Sequence, residues 1–113
     1  MYGLRVIGLD MEGFIAEREL LYSLKDDPAR KRFVVRISAP YLLEQAAVNF
    51  PIHPGAAGCK IEFDGLPTSL VEEVHGVDSI QALALATDVD PYLRGLSKKY
   101  DLYWLSGDPY FED

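Results

Sequence analysis

Apolar and polar residues alternate along the first two thirds of the chain, then switch to helical spacing. In "GFIAERELLYSL" (13–24), Phe14, Ala16, Leu20, Tyr22 and Leu24 share one parity, interrupted by Arg18, while Glu17, Glu19 and Ser23 take the other. "KRFVVRIS" (31–38) alternates more cleanly, with Phe33, Val35 and Ile37 inward and Arg32, Arg36 and Ser38 outward. A period of two marks a strand with one buried face. "KDDPAR" between them holds the breaker Asp27-Pro28, which predicts an antiparallel hairpin. "CKIEFDGL" (59–66) sets Cys59, Ile61 and Phe63 against Lys60, Glu62 and Asp64. "GLPTS" turns the chain, and "LVEEVHGV" (70–77) reads as a fourth strand with weaker alternation.

The period changes in "HGVDSIQALALA" (75–86). Asp78 followed by Gln81 is a capping-box arrangement: the carboxylate accepts a first-turn amide and the glutamine reaches back. Gly76 lets the chain turn just before the cap. Behind it Ala82, Leu85, Ala86, Val89, Leu93, Leu96 and Tyr100 form one stripe, with Ile80 and Leu83 on the opposite side. Asp90-Pro91 interrupts the segment, but the stripe keeps its phase, so the pattern predicts one kinked helix over 79–98. "YDLYWLSGD" (100–108) predicts a last strand, and 106–113 a loose tail. Residues 39–58 are broken by Pro40, Pro51 and Pro54, and "PYLLEQAAV" predicts a short helix with Pro40 at its first position.

Strands first and helix later is an α+β order. The expectation is an antiparallel sheet of four or five strands with one long C-terminal helix packed on one face. Its predicted core is Phe14, Ala16, Leu20, Phe33, Val35, Ile37, Ile61, Phe63, Val74, Ile80, Leu83, Ala86, Leu93 and Trp104. Residues 1–113 are read as a single domain, with 1–12 an N-terminal extension or extra strand.

Composition narrows the function. A chain of 113 residues, 49% hydrophobic, can build a core without disulfide or metal staples. Its one cysteine, Cys59, excludes an internal disulfide and fits a reducing compartment. The N-terminal stretch lacks the basic and apolar segments of a signal peptide, and no apolar run approaches the ~20 residues that cross a bilayer. A cytoplasmic protein without membrane contact is expected. Residues 1–58 hold seven basic and seven acidic side chains, whereas 59–113 hold four and eleven, so the net charge of −7 lies in the C-terminal half. Such a surface repels phosphate backbones, which argues against nucleic acid and favours a basic protein partner. Exposed sheet edges make a homodimer a further expectation.

Three groups of residues could carry chemistry or a contact. Asp10 and Glu12 close the apolar run of "RVIGLDMEGF", which resembles the first motif of DEDD-type exonucleases and the opening of haloacid-dehalogenase-like phosphatases. Two carboxylates on one strand face can share Mg²⁺ or Mn²⁺ for phosphoryl chemistry, so a metal-dependent phosphoesterase or nuclease is one alternative. No βα unit follows Glu12, as both families would require. Cys59 and His75 could meet on adjacent strands and line a small-ligand pocket between helix and sheet, a second alternative. Tyr103, Trp104 and Tyr110 gather near the C-terminus as a candidate partner contact. The two histidines and one cysteine lack zinc-site spacing, and "PGAAG" precedes a strand rather than the helix of a phosphate loop. No cofactor is expected, and enzymatic activity is less favoured than a non-enzymatic protein-binding module.

Together "FIAERELLY", "RFVVRISAP", "CKIEFDGL" and "HGVDSIQALALA" resemble a small bacterial family of uncharacterised proteins with an IAxREL-like first strand and a GxDSxQAL helix start. The resemblance spans about residues 13–105 and rests most on Gly76, Asp78, Ser79, Gln81, Ala82 and Leu83. It implies strands followed by a helix, and it brings no activity with it. Asp10 and Glu12 lie outside it.

Overall fold

The computed structural model describes residues 13–45 and 48–112. Its strands are β1 (Phe14–Leu24), β2 (Lys31–Ser38), β3 (Tyr41–Leu42), β4 (Ala57–Asp64), β5 (Leu70–Gly76) and β6 (Tyr100–Tyr103). Helices α1 (Ser79–Thr87) and α2 (Asp90–Leu96) stand between β5 and β6. The fold is α+β, and every strand pairing is antiparallel. β1 and β2 form the hairpin expected from their alternation. β4 pairs with β2 and β3 on one side and with β5 on the other, so β2 and β3 lie end to end along the same edge of β4. β6 pairs with the last four residues of β1. The six-stranded sheet thus exceeds the expected four or five by the short β3, which continues the line of β2.

The inward parity is the one the sequence displays. Leu20, Phe33, Val35, Ile37, Cys59, Ile61 and Phe63 are buried on the face covered by the helices, joined by Leu93, Tyr22, Tyr100 and Leu102. Tyr22 meets Phe33 and Tyr100 edge-on at centroid distances of 5.9 and 5.2 Å, a favourable arrangement of ring quadrupoles. Val74 and Leu83 pack against this core from its margin.

The capping box forms, shifted by one residue. Gln81 N–H donates to Asp78 Oδ1 at 2.8 Å, and Gln81 Oε1 accepts from Val77 N–H at 2.7 Å. The single helix does not form. Asp88 leaves helical geometry at φ −83°, ψ 78°, and a second helix starts from Val89, with Pro91 in its first turn, and ends at Leu96 rather than 98. Proline cannot donate to the carbonyl four residues back, so the helix is cheapest to restart there. Ala82, Ala86, Val89 and Leu93 nevertheless all face the core, which is why the stripe reads as continuous.

Other expectations fail for local reasons. "PYLLEQAAV" does not begin a helix, because Tyr41 and Leu42 add to β4. The last strand stops at Tyr103, and 106–112 is not a loose tail. The chain turns at Gly107, where φ is +97°, bridges Tyr103 to Pro109, and sends Tyr110 N–H to Leu102 O at 2.9 Å. Ile80 is 77% exposed, since α1 meets the sheet through Ala82 and Ala86. Trp104, also expected in the core, is 40% exposed.

That small-residue seam explains Gly76. Its φ is not positive, so the need is for space rather than for a turn. A Cβ there would stand 2.5 Å from the Ala82 backbone nitrogen. Gly95, in α2, would carry a Cβ into open space. Gly76→Ala should therefore destabilise the protein by about 2 kcal/mol, as overpacked cores do. Gly95→Ala should stabilise it by about 0.5 kcal/mol through helix propensity. Paired denaturant titrations check both signs.

Candidate functional site

Among the described residues, one face of the sheet carries the helices and the other is open. On the open face two register shifts fall at the same end. In β1 the pairing moves from Phe14↔Ser38 to Ala16↔Ile37, so Ile15 is an extra residue. Between β2 and β3 the pairing moves from Ile37↔Ile61 to Tyr41↔Gly58, so four residues span what three span in β4. One added residue in a period-two strand turns the following side chains to the other face. Phe14 and Tyr41 accordingly lie on the open face with Ser38, Gly58 and Lys60. Phe14 is therefore not the core residue its parity suggests, while Ala16 keeps the inward parity but is exposed at the sheet margin.

Polar groups hold the second bulge. Ser38 Oγ accepts from Lys60 N–H at 2.8 Å, taking the place of a ladder carbonyl. Ala39 N–H donates to Gly13 O at 2.8 Å and ties the bulge to the start of β1. Pro40 contributes no donor. The Tyr41 ring then lies flat over Gly58, where a Cβ would stand 2.8 Å from Cε1. Its hydroxyl donates to Glu73 Oε2 on β5. Lys60 Nζ sits 5.9 Å from the centre of the same ring.

The result is a groove of about 390 Å³. Phe14, Pro40, Tyr41 and Val71 supply its apolar walls, and Lys60 and Glu62 its charged rim. Beside it Glu73 Oε1 lies 3.1 Å from His75 Nε2, and Phe50 packs on the His75 ring at 5.5 Å. The open face carries Glu17, Glu19, Glu62, Asp64, Glu73 and Asp101 with Arg32, Arg36 and Lys60, and at its β6 end Lys25 lies 2.8 Å from Asp101 and Arg30 sits over Tyr103. Arg36 gathers three of those carboxylates, at 2.8 Å to Asp64, 3.4 Å to Glu62 and 3.6 Å to Glu17. The hydrogen bond that Arg36 donates to Asp64 leads in raising the Arg36 pKa above its ordinary value, so the hub stays cationic.

The structure separates Cys59 from His75. They sit on strands that pair, yet Cys59 belongs to the covered face and His75 to the open one. Cys59 is fully buried, and its Sγ donates to Ser38 O at 3.0 Å, leaving no space around the thiol for a ligand. Asp10 and Glu12 lie outside the described residues. Among the described residues no three His, Cys, Asp or Glu side chains converge to hold a metal ion, and no helix is long and apolar enough to cross a membrane.

The C-terminal aromatics divide as well. Tyr103 is on the open face, bonded to Ser23 at 3.0 Å, with the Arg30 guanidinium 3.8 Å over its ring. Trp104 and Tyr110 stack at 4.6 Å on the covered side. Arg18 interrupts the apolar parity of β1 because its Nη1 donates to Tyr110 Oη at 2.6 Å, while that hydroxyl donates to Asp90 Oδ1 at 2.6 Å. This chain of bonds joins β1, α2 and the C-terminal segment.

No family model, curated protein or solved structure matches the chain.

Sequence reasoning missed the groove because both of its aromatic walls are placed by bulges. The one signal was Pro40 immediately after an alternating run.

Burial, with the Asp90 hydrogen bond, raises the Tyr110 pKa above its ordinary 10.0, although Arg18 opposes the shift. The folded state then holds this proton more tightly than the unfolded chain. The associated stability is complete below about pH 10 and is lost as pH rises from there through the folded value. Tyr110→Phe should cost about 1 kcal/mol at neutral pH through its lost hydrogen bonds. It should also make the stability decline above pH 10 shallower than in the native chain, as read by urea titration at successive pH values.

Proposed function

We propose that this chain is a non-enzymatic protein-binding module. It holds a basic partner against the open sheet face, and the groove between Phe14 and Tyr41 takes an apolar side chain of that partner. The observation that carries the reading is the pair of bulges. Each turns an aromatic residue away from the core and toward solvent, where neither stabilises the fold as a buried aromatic would. A large apolar side chain held at the surface by a built irregularity marks a contact surface.

Charge supports the choice of partner. Glu62 lines the groove and Glu73 accepts from the Tyr41 hydroxyl, both in the half of the chain that holds the net charge of −7, which gives an apolar anchor point a rim with carboxylates. A partner segment with lysine or arginine flanking one aliphatic or aromatic residue is complementary to it, and such pairing is steered by long-range attraction. The small bacterial family that the sequence resembles lends no activity to this reading.

A peptide-display selection against the immobilised chain tests it. Enriched segments should carry one apolar anchor between basic residues, and their binding should weaken as salt is raised. Phe14→Ala should reduce affinity about tenfold, the scale of losing one anchoring contact. Binders without basic residues, or binding indifferent to Phe14→Ala and Tyr41→Ala, would show the reading to be wrong.

A further inference from the structure

β5 pairs with β4 along one side, and among the described residues nothing pairs with its other side. A seven-residue strand with a free edge is a template for another strand unless something blunts it. β5 has no proline, no lysine and no bulge, and its register with β4 is unbroken from Leu70 to Gly76. Val71, within it, is 55% exposed, and Val77, one residue beyond, is 61% exposed.

The sequence of β5 also complements itself. Two copies related by a two-fold axis normal to the sheet pair antiparallel, with the axis passing through one residue. Axes through Glu72 or Glu73 set two carboxylates directly opposite each other, and an axis through His75 sets two imidazoles opposite. An axis through Val74 sets Val74 against Val74, Glu73 against His75 and Val71 against Val77. Among pairs formed within β5 itself, only that register places a hydrogen-bonding pair of unlike groups opposite one another, twice by symmetry. It also covers the two exposed valines with each other. His75, already 3.1 Å from Glu73 of its own strand, then lies between two carboxylates.

We infer that the chain forms a homodimer through β5, in antiparallel register centred on Val74, joining two sheets into one. This surface is the sheet edge; it shares Val71 with the groove wall, and the inference does not rest on the proposed partner. The charge of −7 on each chain opposes association at low salt, so moderate ionic strength, about 0.15 M, is the condition in which to look.

Sedimentation velocity over a concentration series tests the register. The native chain should dimerise reversibly. Glu73→Lys should weaken the dimer about tenfold by setting a cation against His75, and His75→Glu by a similar factor by setting two carboxylates opposite, because symmetry counts each pair twice. The double variant Glu73→Lys/His75→Glu restores opposite charges across the axis and should recover the native association. Thermal melts of each variant separate misfolding from dissociation. A native chain that stays monomeric overturns the inference, as do single variants that dimerise normally or a folded double variant that does not recover.

Discussion

A sheet covered on one face imposes a single rule on every strand: odd and even positions must never trade places where the helices sit. β4 enforces that rule. It pairs along both sides, and its Ala57, Cys59, Ile61 and Phe63 are all buried. A one-residue slip of β4 would send those four to solvent and bring Lys60 and Glu62 under the helices, a desolvation no local contact could offset. The register of β2 and β5 follows from β4, the β1 hairpin follows from β2, and β6 from β1. The bulges are tolerated because they turn Phe14 and Tyr41 onto the open face, away from the helices.

The same rule governs how near a helix can come. α1 lies over β4 and β5, at the end where the strand residues are Ala57, Cys59 and Gly76 and the helix residues are Ala82 and Ala86. Small side chains on both surfaces bring backbones close, and dispersion attraction across that short distance replaces the bulk a leucine would have supplied. The cost is specificity of size. Ile80 has no room beneath the helix and is displaced to solvent. Farther along, where Phe33, Phe63 and Leu93 fill the core, the layer is thick enough for Tyr92 to reach the Phe63 ring at 6.2 Å.

How much of this could be read from the sequence follows from the range of each determinant. Parity along β1, β2 and β4, the Asp78–Gln81 cap and the turn at Asp27-Pro28 are local, and they appear in the letters. The α+β order followed from them. The break at Asp88 was visible as Asp90-Pro91, but the unbroken stripe argued against it, since Ala82, Ala86, Val89 and Leu93 are buried on both sides of the break. The candidate site was hidden for a different reason. A bulge is set by what the neighbouring strand offers, here the Lys60 amide answered by the Ser38 hydroxyl and the Gly58 surface beneath the Tyr41 ring. Neither has a signature in a single strand. Parity therefore assigned Phe14 to the core, and Pro40 at a first helical position gave Tyr41 to a helix. Cys59 and His75 were rightly placed on neighbouring strands, yet a strand pair has two faces, and the odd positions of β4 face the helices while the odd positions of β5 do not.

That last point bears on the kind of work this surface can do. Antiparallel pairing matches Gly58 with His75 and Cys59 with Val74, so the chain's reactive groups are split between the two faces. The thiol is sealed in the core and the imidazole is engaged by a carboxylate and an aromatic ring. A nucleophile and its base need hydrogen-bond reach of each other, and this register denies it to Cys59 and His75. What the open face collects instead is shape and charge: aromatic walls, Glu62 and Glu73 beside them, and Arg36 drawing carboxylates from β1 and β4 into one fixed array. Exposed ion pairs of that sort add little stability. Their effect is to hold the charge pattern in place around the groove, and a fixed charge pattern beside an apolar depression selects partners more effectively than it holds a fold together.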